Sequence, residues 1–445
     1  MEYRSALEFL NSFINYERRV EHRYDERRFN LDRMRRLLDS IGSPHLAHKK
    51  VIHIAGTKGK GSTACMISTI LAEAGYKVGL YTSPHLVTPR ERFRINGKMI
   101  SQDELSQLVE RVQPAAEEMR HSDEMGDLTF FELYTALGFL WFASEGTDIW
   151  VLETGLGGRL DATNVIDSDL VVITPIGLDH IQILGDTLEA IAREKAGIIK
   201  SDAPVVCAPQ KEEVIGIISE RCRRFNSPFI SVDEVSRSER EVSSPAGERF
   251  SAEVMGLRYE DLFLPLLGEH QIINALTAIT AVEVMRGEGF GISPKAIRSG
   301  LARVKWPCRI QVVRERPIVI FDVAHNPDSI RALRRTIQER FRYEKLILVF
   351  GASSDKDVEG MGYEFAGFAD MTIATRASDN TRMIPPAELK SRLEGILDHV
   401  LAVGAVREAF SKALSMAGPD DLICVTGSFY HVGELLKDMM CKNMT

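Results

Sequence analysis

The sequence predicts an α/β chain of two unequal lobes, each built on a mostly parallel sheet. Three observations carry this. Apolar runs of strand length alternate with helix-period segments along most of the chain, as strand–helix–strand units require. At 445 residues the chain exceeds what one ordinary core holds. Trp306-Pro307-Cys308-Arg309 interrupts the alternation, and because proline restricts itself and its predecessor, the lobe boundary is placed between 305 and 306.

In the first lobe, residues 1–305, strands are predicted at 50–54, 77–81, 149–153 and 170–174. The first runs into a glycine-rich turn, Gly56-Thr57-Lys58-Gly59-Lys60-Gly61-Ser62. Such a turn can aim backbone N–H groups at a phosphate, and a following helix adds its positive end. Lys60 and Ser62 can then reach a phosphate and a magnesium ion. The spacing departs from the common G-x-x-x-x-G-K-[ST] form, so a turn that merely closes a unit of parallel sheet is the alternative. Context favours the phosphate reading: Cys65, Met66, Ile67, Ile70, Leu71 and Ala74 continue at helical spacing, with Gly75 as a stop. This predicts a P-loop ATPase-like domain that binds ATP or GTP.

Two helices announce themselves by capping boxes, Ser101 with Glu104 and Thr129 with Glu132, and Asn96-Gly97 marks a tight turn before them. The polar stretch 236–249 reads as a solvated hairpin or loop rather than a site. The second lobe, 306–445, repeats the alternation more compactly as a smaller Rossmann-like α/β domain. Its strands are predicted at 318–321, 345–350, 371–374 and 422–425, with helices near 328–340, 386–397, 406–417 and 430–440.

Composition bounds the function classes. With 44% hydrophobic and 27% charged residues the chain reads as soluble and globular, and a formal net charge of -8 argues against a nucleic-acid footprint. Six cysteines without a C-x-x-C pair indicate neither a zinc site nor a disulfide framework. The N-terminus lacks the apolar run of a signal peptide and no stretch is long enough to span a bilayer, so the expectation is a cytoplasmic protein, monomeric and without a membrane partner.

Ligands of open α/β sheets gather at the carboxyl ends of the strands. Ser83, Glu153 and Asp179-His180 each follow a predicted strand. Ser62, Ser83 and Glu153 make an oxygen set suited to magnesium around nucleotide phosphates, with His180 a less usual ligand. Singly, Glu153 can equally be a capping or salt-bridging carboxylate, and His180 a structural histidine.

Several segments taken in order resemble the folylpolyglutamate synthases and dihydrofolate synthases of the Mur ligase superfamily. They begin with the glycine-rich turn, Thr82-Ser83-Pro84-His85-Leu86, Thr129-Phe130-Phe131-Glu132 and Glu153 through Asn164. Gly177-Leu178-Asp179-His180, Glu194-Lys195-Ala196-Gly197, Gly268-Glu269-His270-Gln271 with Asn274, and Trp306-Pro307-Cys308-Arg309 follow. Asp322-Val323-Ala324-His325-Asn326-Pro327 and Thr426-Gly427-Ser428 complete the set.

The resemblance implies an ATP-dependent ligase that joins L-glutamate to a folate or to dihydropteroate through an acyl phosphate. Gly56 to Ser62, Asn274, Arg309 and Asp322 are then expected at ATP, with Lys60 on the β/γ phosphates. Ser62, Ser83, Glu153 and His180 are expected at two magnesium sites, where Lys195 matches a lysine carbamylated in relatives. His325 and Ser428 are expected around glutamate; His85, Phe131 and Glu132 are expected on the folate side. Lys60, Lys195 and His325 are the implied catalytic residues. Of Phe130 and Phe131, at least one is expected in the core, since together they open a strongly apolar helix. Val323 and Cys308 stand where many relatives have glycine.

Two other classes share the turn. A Mur-type ligase of cell-wall precursors normally carries a further domain whose length is not evident here. A P-loop switch would require neither the second lobe nor Lys195.

Overall fold

The computed structural model describes residues 1–17, 29–120, 126–241, 244–378, 380 and 382–442, with the backbone alone at 440–442. Strands β1 (Lys50–Ala55), β2 (Val78–Tyr81), β3 (Phe93–Ile95), β4 (Lys98–Met99), β5 (Ile149–Glu153), β6 (Leu170–Ile173), β7 (Val205–Cys207) and β8 (Phe229–Ser231) form one sheet. Its order is β4-β3-β2-β5-β1-β6-β7-β8, parallel from β2 to β8 and antiparallel at the β3 and β4 edge. β1 lies in the middle, and its alternation is read by two cores. Ile52 and Ile54 pack under the helices Lys60–Glu73 and Glu269–Gly287, while Val51 faces the core of the helices Gln102–Arg120 and Phe130–Ser144. The predicted helix after the glycine turn is Lys60–Glu73, and Gly75 follows its end with φ +98°. Both capping boxes form: Ser101 N–H donates to Glu104, and Thr129 N–H to Glu132, at 2.8 Å each.

A second sheet joins β9 (Ser236–Arg240), β10 (Glu248–Val254) and β11 (Leu257–Leu264) as an antiparallel meander in the order β11-β10-β9. The polar stretch 236–249 therefore supplies β9 and the start of β10, paired antiparallel, and β10 turns alternate side chains onto the core. Between 303 and 310 the chain has neither strand nor helix. Beyond it, β12 (Gln311–Glu315), β13 (Ile318–Phe321), β14 (Leu346–Phe350), β15 (Met371–Arg376), β16 (Val400–Ala405) and β17 (Leu422–Thr426) make a sheet of order β12-β13-β17-β14-β15-β16. Only β12 is antiparallel. The helices Pro327–Arg340, Pro386–Leu393, Val406–Met416 and Phe429–Lys442 lie on its faces, near their predicted positions. Among the described residues, no helix is long and apolar enough to cross a membrane.

The lobes also meet away from the connection. Glu248, fully buried on β10, accepts from Gly268 N–H at 2.8 Å, from Arg240 at 3.1 and 3.2 Å, and from Arg340 of the second lobe at 3.0 and 3.1 Å. A buried carboxylate so filled balances two guanidinium groups, and removing it leaves them only Glu339, 3.1 Å from Arg240 and 3.9 Å from Arg340. Glu248→Ala is expected to cost about 3–5 kcal/mol, read as a lower urea midpoint by far-ultraviolet circular dichroism. A midpoint unchanged from wild type would remove Glu248 from this role.

Candidate functional site

The carboxyl ends of the parallel strands in both large sheets open on one cleft of about 640 Å³. On the first-lobe side, Gly59 (φ +80°) caps the helix Lys60–Glu73. The first helical N–H to meet a carbonyl four residues back is that of Thr63, on Gly59 at 2.9 Å, so the N–H groups of Lys60, Gly61 and Ser62 leave the helix end unpaired within it. A Cβ on Gly59 would collide with Asn274 Oδ1, which makes glycine necessary there on steric grounds as well as for its backbone.

The earlier half of the turn behaves differently from the expectation that it cradles phosphate. The N–H groups of Thr57 and Lys58 both donate to Pro175 O, at 3.0 and 3.1 Å, and Thr57 Oγ1 donates to Gly177 O at 3.0 Å. These bonds fasten the turn to the segment after β6, so the N–H groups without a backbone partner belong to its later half. Lys58 Nζ reaches across the cleft to Asp328 of the second lobe at 2.5 Å. Gly56 is not a wall residue; its carbonyl accepts from Lys195 Nζ at 2.7 Å.

Glu153 ends β5, is 4% exposed, and accepts from Ser83 N–H at 3.2 Å. Burial pushes its carboxyl up to about 7, against the pull of Lys60, that N–H, Arg309 and Arg92. Lys195, 5% exposed on the helix Leu188–Ala196, is lowered to about 7 by burial first and by the charge of Lys60 second. The imidazole of His180 is lowered to about 3, chiefly by removal from water and then by Lys356, Lys195 and His325, so it is neutral at ordinary pH; Asp179 opposes the shift. His180 also holds a left-handed backbone, φ +51°, with its N–H on Asp179 Oδ1 at 2.9 Å. Among the described residues, no three His, Cys, Asp or Glu side chains form a metal-holding cluster. The expected metal set of Ser62, Ser83, Glu153, His180 and Lys195 nonetheless lines the same cleft.

From the second lobe, Asp322 follows β13 and accepts N–H groups of Ile310 at 2.9 Å and Ala324 at 2.7 Å. His325 bonds Val323 O through Nδ1 at 2.8 Å; a carbonyl only accepts, so the proton is on Nδ1, and Nε2 faces Asp179 at 3.7 Å. Ser428, buried, accepts from Tyr430 N–H at 3.3 Å. Arg309 lies over the Phe429 ring, 5.2 Å from its centroid, and burial lowers its pKa. Two cations of this wall were missed from sequence: Lys356 and Arg382, with Arg382 paired to Asp355 at 2.7 Å. The rule that located Glu153 would have found Lys356, which follows β14 as Glu153 ends β5.

At the far end, Phe131 lines the cleft against Gly155, where any Cβ would strike its ring, while Phe130 is in the core. Glu132 also lines it, but its carboxylate is engaged by Arg33 at 2.9 Å and by Thr129 N–H. His85 is not on the wall; its Nδ1 accepts from Arg92 Nε at 3.0 Å. Asn15, Tyr16 and Phe29 join this end from the N-terminal segment, with no sequence motif to mark them.

Residues 54–282 match the Mur ligase middle domain and residues 308–429 the Mur ligase glutamate ligase domain. The chain is 38% identical over 422 residues to the dihydrofolate synthase/folylpolyglutamate synthase of Bacillus subtilis, covering 92% of this chain and 94% of that one. The chain belongs to the folylpolyglutamate and dihydrofolate synthase family of Mur ligases. It is accordingly an ATP-dependent ligase. Its fold matches the Mycobacterium tuberculosis folylpolyglutamate synthase complexed with ADP at a TM-score of 0.89 and 30% identity, over 98% of this chain and 97% of that one. An Escherichia coli family structure in complex with DHPP and ADP matches at 0.85 and 29% identity, over 100% and 99%.

The raised carboxyl of Glu153 makes a signed prediction for the ligand-free protein. A group that holds its proton more tightly when folded loses stabilisation as pH rises from its unfolded value, 4.5, through its folded one, about 7. Relative to Glu153→Gln, the wild type is expected to lose stability by up to roughly 3 kcal/mol over that window and to run parallel above it. Urea midpoints of both proteins at pH 5, 6, 7 and 8 check this, and parallel profiles throughout would contradict it.

Proposed function

We propose that the chain adds L-glutamate to the glutamate side of a folate, and that dihydropteroate enters the same cleft. One observation carries the reading: a single cleft joins the anion-binding helix end, with Glu153 and Lys195 buried beside it, to a second-lobe wall bearing His325 and Ser428. A carboxylate is a poor acyl donor. ATP supplies the phosphoryl group that converts it to an acyl phosphate, and magnesium the positive charge that this transfer gathers around.

The donor set fits magnesium. Glu153 is a buried carboxyl short of positive charge, and Ser62 in the first turn of the helix Lys60–Glu73 and Ser83 in the loop after β2 offer hydroxyl oxygens, the hard-oxygen pattern that this ion takes while keeping waters. Lys60 and the N–H groups of residues 60–62 would hold the phosphates, with Asn274 behind the turn. Arg309 would reach the nucleotide from the connection between lobes, and Asp322 would keep that connection folded through its bond to Ile310 N–H. Phe131 and the aromatic residues near it would offer a face to the pterin, while Ser428 and His325 would meet glutamate. His180, neutral, suits a ligand role better than a charged imidazole would.

Lys195 would act as its carbamate. Addition of carbon dioxide to the neutral amine forms an N–C bond and releases a proton, and a lysine lowered to about 7 has that neutral form available at ordinary pH. The product would place an anionic oxygen beside Lys60 and the metal set.

Phosphate release by the purified chain is expected to require ATP, magnesium, glutamate and a pterin substrate together. Mass spectrometry then separates the activities: one added glutamate on dihydropteroate, serial additions on reduced folates. Release that depends on a nucleotide sugar would favour the cell-wall ligase reading, and release dependent on neither substrate a switch. Lys195→Ala is expected to lose activity by about a hundredfold or more, as when a charged group stabilising a transition state is removed, and to recover part of it with added formate or acetate. Near-wild-type activity of that variant would discard the carbamate.

A further inference from the structure

Asp179 takes no part in the roles above, yet its carboxylate lines the cleft. Its side chain is 10% exposed and reaches from the loop after β6 into the second lobe. There Lys356 Nζ lies 2.8 Å from Oδ1, and Asn326 Nδ2 lies 3.4 Å and His325 Nε2 3.7 Å from Oδ2. Lys356 has a second anion, Asp355, at 3.6 Å. Both members of the Asp179–Lys356 pair line the cleft, and they come from opposite lobes.

Resting on the functional reading above, we infer that glutamate binds by inserting its α-amino-acid head between Asp179 and Lys356. The ammonium takes the Asp179 carboxylate, and the α-carboxylate takes the Lys356 ammonium. An opposed carboxylate and ammonium satisfy each other without ligand, and a zwitterionic head replaces that pair with two, so that Asp179 and Lys356 each keep a partner of opposite charge. Lys356 stays beside Asp355 throughout. The arrangement also gives direction: the carboxylate is held by the second lobe, while the nitrogen is turned to the first, where the phosphate turn and Lys195 lie. Asp179 is thus the residue that reads the α-amino group, and it selects an amino acid over a dicarboxylic acid of the same length.

The test compares glutamate with glutarate, which lacks only the amino group, by calorimetry on the full chain with a non-hydrolysable ATP analogue and magnesium. Calorimetry reads inactive variants as well as active ones. The wild type is expected to prefer glutamate by about 10- to 100-fold, the worth of a charge-assisted bond, and Asp179→Asn to remove most of that preference. Asp179→Glu, which keeps the carboxylate, should retain it. Lys356→Met should weaken both ligands by a similar factor and leave their ratio intact. If Asp179→Asn keeps the wild-type ratio, or weakens the nucleotide analogue as much as it weakens glutamate, the residue is only a tie between lobes and the inference is overturned. Wild-type turnover with glutamate is the control: its absence counts against the functional reading and not against this pair.

Discussion

The cleft depends on ionisable groups buried without full compensation. β5 lies between β1 and β2 inside the sheet, and Glu153 at its end is buried in the wall of the cleft. One backbone N–H and the nearby cations do not restore its ordinary acidity. Lys195 suffers the converse, a cation next to another cation, with a carbonyl as its partner. Such an arrangement is unfavourable alone, and a bound metal and polyanion would supply the missing charges. The glycine turn, the helix end beyond it and the loops after β2 and β6 all converge on that deficit.

What the sequence revealed follows from periodicity and from the chemistry of strand ends. β1, its turn and the next helix were legible because both faces of the strand are covered and the helix keeps a continuous apolar pattern. β7 and β8 were missed since three residues each give no measurable period, and β16 since, as a half-exposed edge strand, it carries a mixed pattern. β9 to β11 show why polar composition misleads: Glu248 is fully buried there and takes Arg240 and the second lobe's Arg340 as partners. Among site residues, those following a strand could be named. Arg33, Arg382 and Asp328 could not, because each acquires its contact only through tertiary approach, such as Arg33 to Glu132 or Lys58 to Asp328.

Of the two departures from the family pattern, only one touches the backbone. Val323 is not among the positive-φ residues, and its carbonyl orients His325. Cys308 has φ +57°, and Ile310 two residues on has φ +50°, conformations that cost a side-chain-bearing residue about 1–2 kcal/mol. Both are held from outside: Gln311 takes the Cys308 N–H at 2.9 Å and Asp322 that of Ile310. The connection is therefore braced by the second lobe rather than left loose, and Arg309 between the two strained residues inherits its direction.

Glu248 gives the pair of lobes a second point of suspension. The chain passes between them at 303–310, while the guanidinium of Arg340 is clasped to β10 at a separate place. Two fixed points define a line. A swing that kept both attachments would have to turn about that line, like a gate on an upper and a lower pin, and the cross-cleft pairs Lys58–Asp328 and Asp179–Lys356 would then open along one arc.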